Sequence, residues 1–155
     1  MKKSIYVLIV LMCVFSVSLN SCSKDDDGDI TTLDGKYTLV MDGTTVASGE
    51  TEEVGMVGNA ISLSLGEDFG FIVAGVPETV GDEAEIGAQG SGVSVSITGK
   101  NLLKSGDDEM YFSISGTVKR TSSSKITFEG TCTEFGSTMV HTFSGSAESA
   151  AYKII

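Results

Sequence analysis

Lys125-Ile-Thr-Phe-Glu-Gly-Thr-Cys-Thr-Glu-Phe-Gly-Ser-Thr-Met-Val-His-Thr-Phe-Ser-Gly-Ser-Ala-Glu148 consists of two alternating runs around one turn. Ile126, Phe128 and Cys132 share one face, while Thr127, Glu129, Thr131 and Thr133 share the other. This period of two belongs to a strand with one dry and one wet side. Gly136-Ser137 suits a type II′ hairpin, because glycine tolerates the positive φ required at the first central position. A two-residue loop there sets Phe135 opposite Thr138, and therefore Cys132 opposite His141, Gly130 opposite Phe143 and Phe128 opposite Gly145.

The pattern continues upstream. A three-residue loop at Thr121-Ser122-Ser123 sets Gly116 opposite Phe128 and Ile114 opposite Gly130. An apolar residue two before a glycine recurs as Ile97/Gly99, Ile114/Gly116, Phe128/Gly130 and Phe143/Gly145. Large side chains can then lie over neighbouring glycines, and glycines at one level let successive strands bend together. Strands are expected at 35–41, 44–50, 59–66, 69–75, 83–88, 91–99, 109–119, 124–134 and 138–148, with a short last one at 151–155. The fold class is all-β: an antiparallel meander closing into a barrel of about eight strands, with a β-sandwich as the alternative.

Farther out lies the leader. Lys2 and Lys3 precede an apolar run from Ile5 to Val17, which gives way to Ser18-Leu19-Asn20-Ser21-Cys22. A spanning helix needs about 20 apolar residues, so this shorter run reads as a secretory signal. Asp25, Asp26, Asp27 and Asp29 follow, and their mutual repulsion favours an extended, hydrated tether. Asp25, Asp27 and Asp29 have the first spacings of an EF-hand, but Ile30 and Lys36 occupy the positions that need Gly and Glu. The expected division is therefore a signal peptide at 1–21, a tether at 22–32 and a single all-β domain at 33–155.

Leu19-Asn20-Ser21-Cys22 resembles the lipobox of bacterial lipoproteins, and Ser23-Lys24-Asp25-Asp26-Asp27 looks like the export tag of Bacteroidota surface lipoproteins. That resemblance implies lipid on Cys22, cleavage after Ser21 and anchorage in the outer membrane facing the cell exterior. Two or more acyl chains would hold such a protein stably. The later strands are similar to calycin-like and lipocalin-like lipoproteins of the same bacteria. Gly35-Lys36-Tyr37 stands where a lipocalin carries Gly-x-Trp, although this chain has no Trp. This resemblance implies a binder of a small apolar or amphipathic ligand.

Charge and cysteine count narrow the chemistry. The 155 residues carry 21 Asp+Glu against 10 Lys+Arg, a net of −11. Losing Lys2 and Lys3 with the signal would leave eight basic residues and a net of −13. No basic stripe exists to bind nucleic acid. Cys13 would leave with the leader and Cys22 would carry lipid, so Cys132 has no partner for an internal disulfide. Cys132 and the sole histidine, His141, are expected about 5 Å apart on the inner face. Catalysis would also need an orienting acid and oxyanion donors, which no motif supplies. The reading is a non-enzyme without cofactor or metal.

Met110, Phe112, Ile114, Val118, Ile126, Phe128, Cys132, Met139, His141 and Phe143 are expected to face inward. Phe112, Ile114, Phe128, Cys132, Met139, His141 and Phe143 are the candidate lining of a ligand cavity; a closed core in an interaction module is the alternative. Ser113, Ser115, Thr117, Thr131, Thr142 and Ser144 are expected on a wet hydroxyl face, with Tyr111 as its exposed aromatic. Acidic clusters at Glu50/Glu52/Glu53, Glu67/Asp68, Asp82/Glu83/Glu85 and Asp107/Asp108/Glu109 read as solvated rims and edge protection.

Overall fold

The computed structural model describes residues 30–87, 92–104 and 106–154. The expected signal peptide, Cys22 and the acidic part of the tether lie outside the described residues. Twelve strands and no helix occur among those described. They are β1 (Ile30–Leu33), β2 (Gly35–Met41), β3 (Thr44–Thr51), β4 (Gly55–Val57), β5 (Ala60–Leu65) and β6 (Phe69–Ala74), followed by β7 (Glu83–Ile86), β8 (Ser94–Lys100), β9 (Asp108–Arg120), β10 (Lys125–Glu134), β11 (Val140–Glu148) and β12 (Ala151–Ile154). β1 pairs with β12, so Ile30, Thr31 and Thr32, expected as part of the tether, lie in a strand.

The other ten strands form one antiparallel sheet in the order β3-β2-β11-β10-β9-β8-β6-β5-β4, with β7 beside the second half of β9. The sheet is a strongly curled half-barrel. Tyr37 on β2 and Phe69 on β6 are five strands apart in the sheet, which is roughly 24 Å if flat. Their ring centroids are nevertheless 6.0 Å apart. Phe71 on β6 likewise meets Phe128 on β10 at 5.7 Å. The curl wraps the inner face around a core in which Leu39, Met41, Ile61, Val73, Val118 and Ile126 are fully buried. Each such side chain contributes roughly 1.5–3 kcal/mol through its removal from water.

β2 and β3 meet at Asp42-Gly43, whose φ values of 47° and 77° are those of a type I′ turn. The β10–β11 register is the expected one: Cys132 faces His141, Gly130 faces Phe143 and Phe128 faces Gly145. A Cβ on Gly145 would lie 2.6 Å from the Phe128 ring, so the aromatic does cover the glycine. The turn itself differs from the expected type II′. Ser137 N–H donates to Glu134 C=O at 3.0 Å, and Gly136, at φ 81°, takes the third rather than the second position. Hydrogen bonding of Phe135 N–H to Met110 C=O at 2.8 Å draws Phe135 toward β9 and shifts the bend.

Two features of β9 depart from expectation. First, Phe128 faces Val118 and Gly130 faces Gly116, two residues away from the register a three-residue loop would give. The connection is longer because Arg120 still pairs with Ile126, and Thr121 and Ser122 both donate their amides to Lys125 C=O. Arg120 locks this end: its guanidinium donates to the carbonyls of Pro77 at 3.0 Å and Ser123 at 2.9 Å. Second, Thr131 faces Ser115 but Cys132 faces Ser113, leaving Ile114 as an extra residue in a β-bulge.

The bulge exchanges the faces of everything before it. Val118 is inside as expected, but upstream of Ile114 the buried residues are Tyr111 and Glu109. Phe112 and Ile114, expected inside, are 40% and 46% exposed. Tyr111, expected on the wet face, has no exposure at all. Met139, also expected inside, is 64% exposed because it precedes the start of β11 in the hairpin.

Candidate functional site

Chemically versatile side chains gather on the inner face where β9, β10 and β11 meet the β2–β3 turn. Phe128, Cys132 and Phe143 are buried there as expected, and His141 is half-buried. His141 Nδ1 donates to Asp42 Oδ2 at 2.7 Å. The other oxygen, Asp42 Oδ1, accepts Thr142 N–H at 2.9 Å. These bonds, the imidazole first, hold the Asp42 carboxyl below its ordinary range. The Tyr111 ring meets the His141 ring edge-on at 5.5 Å. Asp42 is the orienting acid that no motif announced. Its signal is the pairing of β2 with β11, which places Met41 opposite Phe143 and the Asp42 turn beside Thr142.

Asp42, His141 and Cys132 thus stand in the order acid, imidazole, thiol. Such an arrangement serves nucleophilic catalysis when the thiol is ionised and reachable. Here Cys132 is 1% exposed, and burial, with help from the Asp42 charge, pushes its pKa up to about 11. The thiol remains protonated and packed, and the Asp42–His141 bond serves to tie β2 to β11.

Below it is a second polar knot. Glu109 is 3% exposed. It accepts the amides of Leu103 at 3.0 Å and Lys104 at 3.0 Å and the Tyr111 hydroxyl. Burial alone would raise the Glu109 pKa, but these donors outweigh it and hold the carboxyl below its ordinary range. Burial and the Glu109 charge push the Tyr111 hydroxyl well above its own. Lys104 bonds Glu134 on β10 and adds a tie from the same loop. The knot pins the β8–β9 connection across the end of the half-barrel.

The sign of its pH dependence follows from the depressed folded pKa. Glu109 contributes stability that is complete above the unfolded value, about 4.3, and is lost as pH falls through the lower folded value. Glu109→Gln should therefore flatten the acid limb of a thermal-midpoint versus pH profile. At neutral pH it should cost about 1–3 kcal/mol, because a charged acceptor of buried amides is lost.

The outer face carries two features. Across β2, β11, β10, β9 and β7, Val40, Ser144, Glu129, Thr117 and Glu85 form one cross-strand row. Val40, Ser144, Glu129 and Thr117 of that row also line an open depression of about 500 Å³, together with Gly116 and Gly130. Thr131, which lines it, is satisfied by the Ser115 hydroxyl at 2.8 Å. Nearer the β10–β11 hairpin the face turns apolar: Phe112 and Phe135 rings pack at 6.3 Å, flanked by Ile114, Met139 and Val140. The sequence reading missed this patch because the bulge that exposes Phe112 and Ile114 has no local signature beyond the nearby Gly116.

No protein family matches this chain, and neither a curated protein nor a solved structure matches it.

Proposed function

We propose that the chain is a lipid-anchored surface protein whose all-β domain is a non-catalytic interaction module with a closed core. The observation that carries this reading is the division of faces. The inner face is occupied by mutually packed side chains, Phe71 on Phe128 and Phe128 on Phe143, while Phe112, Ile114 and Met139 are turned to solvent. An apolar ligand carrier needs the reverse, a vacant interior lined by those residues. The protonated, buried Cys132 supports the non-catalytic part.

In this reading the half-barrel is completed by a crossing. β3 pairs with β2 as far as Thr51, and from Gly55 the same chain pairs with β5 as β4. Fully buried Val54 sits at the crossing, and its carbonyl accepts Ala150 N–H at 2.8 Å. The lipobox at Leu19-Asn20-Ser21-Cys22 supplies the anchor, and the acidic tag supports an outer-membrane position facing outward.

Intact-mass analysis of the protein extracted from its own host membrane tests both halves. The expected result is an acylated species beginning at Cys22, abolished by Cys22→Ser, with no stoichiometric small molecule retained. Unmodified Cys22 would overturn the anchor, and a retained apolar molecule would overturn the closed core.

A further inference from the structure

Of the nine large apolar side chains exposed among the described residues, five gather around the β10–β11 hairpin, while Leu33, Val57, Ile72 and Val80 lie singly elsewhere. Phe135 is 77% exposed, Met139 64% and Val140 59%, and Phe112 and Ile114 adjoin them on β9. Phe112 pairs with Thr133, and Thr133 with Val140, so Phe112 and Val140 share one outward face across three strands, and the Phe135 ring packs on Phe112. Single exposed apolar residues need no explanation, but a contiguous set on a hydrogen-bonded hairpin marks an interaction surface.

Charge around the patch says what kind. At this end of the sheet Asp42, Asp107 and Asp108 are exposed, and Lys104 is taken up by Glu134. Lys100 lies 3.8 Å from both Glu67 and Asp68, which outnumber it. The whole chain carries −11. A second copy or an anionic membrane would meet like charge, whereas a cationic partner would be drawn in.

Chain direction agrees. β11 starts at Val140 beside the patch and ends at Glu148, nine residues or roughly 30 Å away. β12 follows that far end, and β1, where the leader enters, pairs with β12. An anchor at Cys22 would therefore join the domain through β1, whose Leu33 lies at the end of the sheet opposite the hairpin, leaving the patch clear of the attachment point.

We propose that the outer-face patch of Phe112, Ile114, Phe135, Met139 and Val140 docks a protein segment presenting apolar side chains within a cationic rim. The proposal rests on the interaction-module reading and specifies its partner class.

The test uses the mature chain from Cys22 and two synthetic amphipathic helical peptides with the same leucine face, one flanked by Lys and one by Glu. Methyl and amide NMR titration should show the Lys-flanked peptide shifting Ile114, Met139 and Val140, with affinity falling as salt rises. The double variant F135S/M139S should weaken binding by about tenfold or more while leaving the thermal midpoint unchanged. Equal binding of both peptides, shifts centred on the hydroxyl row, or unaltered affinity in the variant would overturn the proposal. So would self-association lost in F135S/M139S, which assigns the patch to a second copy, or vesicle binding lost in that variant, which assigns it to lipid. A retained ligand in the intact-mass experiment would sink the closed core without changing any of these results, so the two failures are distinguishable.

Discussion

Tyr111→Ala should cost about 3–5 kcal/mol, whereas Phe112→Ala, one residue on, should cost less than about 1 kcal/mol. The two aromatics differ little in size, so the contrast depends on which face each occupies. Tyr111 has no exposure, packs on the His141 ring and hydrogen-bonds buried Glu109. Its truncation opens a cavity and also removes a donor from a buried carboxylate. Phe112 is 40% exposed and packs on the Phe135 ring, itself 77% exposed. Urea unfolding of the two variants measures the difference directly. Tyr111→Phe separates the two contributions, because it keeps the ring contact and loses only the hydroxyl bond.

Gly130→Ala should be at least as damaging to the sheet as many larger core changes, although it adds one methyl group. A Cβ on Gly130 would stand 2.0 Å from Ser115 C=O and 2.8 Å from Gly116 Cα. Across the seam, a Cβ on Gly116 would stand 2.0 Å from Glu129 C=O, and Gly116 also holds a φ of 138°. The obstructing atoms are backbone, so neither neighbour can rotate away. Relief requires β9 and β10 to separate beside the Ile114 bulge. A loss of about 3 kcal/mol or more is expected for either substitution, from overpacking and, at Gly116, backbone strain. Gly55→Ala is the control: its Cβ would meet nothing within 4 Å, and its φ lies outside the left-handed range. Its unfolding midpoint should stay within about 0.5 kcal/mol of the parent.

These two expectations lie where sequence reasoning stopped being sufficient. Strand β2 has the expected bounds, 35–41, because GKYTLVM is bracketed by turn residues at Asp34 and Asp42-Gly43. The β10–β11 register was legible because alternation on both arms fixes the phase that buries Phe128 and Phe143, and the turn signal at Gly136-Ser137 fixes the pairing within it. The bulge was not. One unpaired residue at Ile114 inverts the faces of all residues before it, and SISG alternates equally well with or without it. The β9–β10 loop failed for a different reason. Arg120 reads as a turn-flanking charge, but its guanidinium finds four carbonyls, which extends the paired strand to that residue.

Of the candidate site, Cys132 opposite His141 was readable from the hairpin alone. Asp42 lies 99 residues from His141, and only the pairing of the second strand with the eleventh brings them together. That contact is set by curl and strand order, which short-range patterns do not encode. Glu109 follows Asp107 and Asp108, a run that reads as solvated acids. Its burial is decided by the same face exchange that carries Tyr111 inward.

The face exchange at Ile114 sets which side chains are buried on β9, and a NOESY spectrum of the protein tests it most directly. Cross-peaks between the Tyr111 and His141 rings, together with cross-peaks between the Phe112 and Phe135 rings, are the predicted result. Cross-peaks from Phe112 to the buried Phe128 ring, with Tyr111 free of His141, would contradict it and return the apolar patch to the interior.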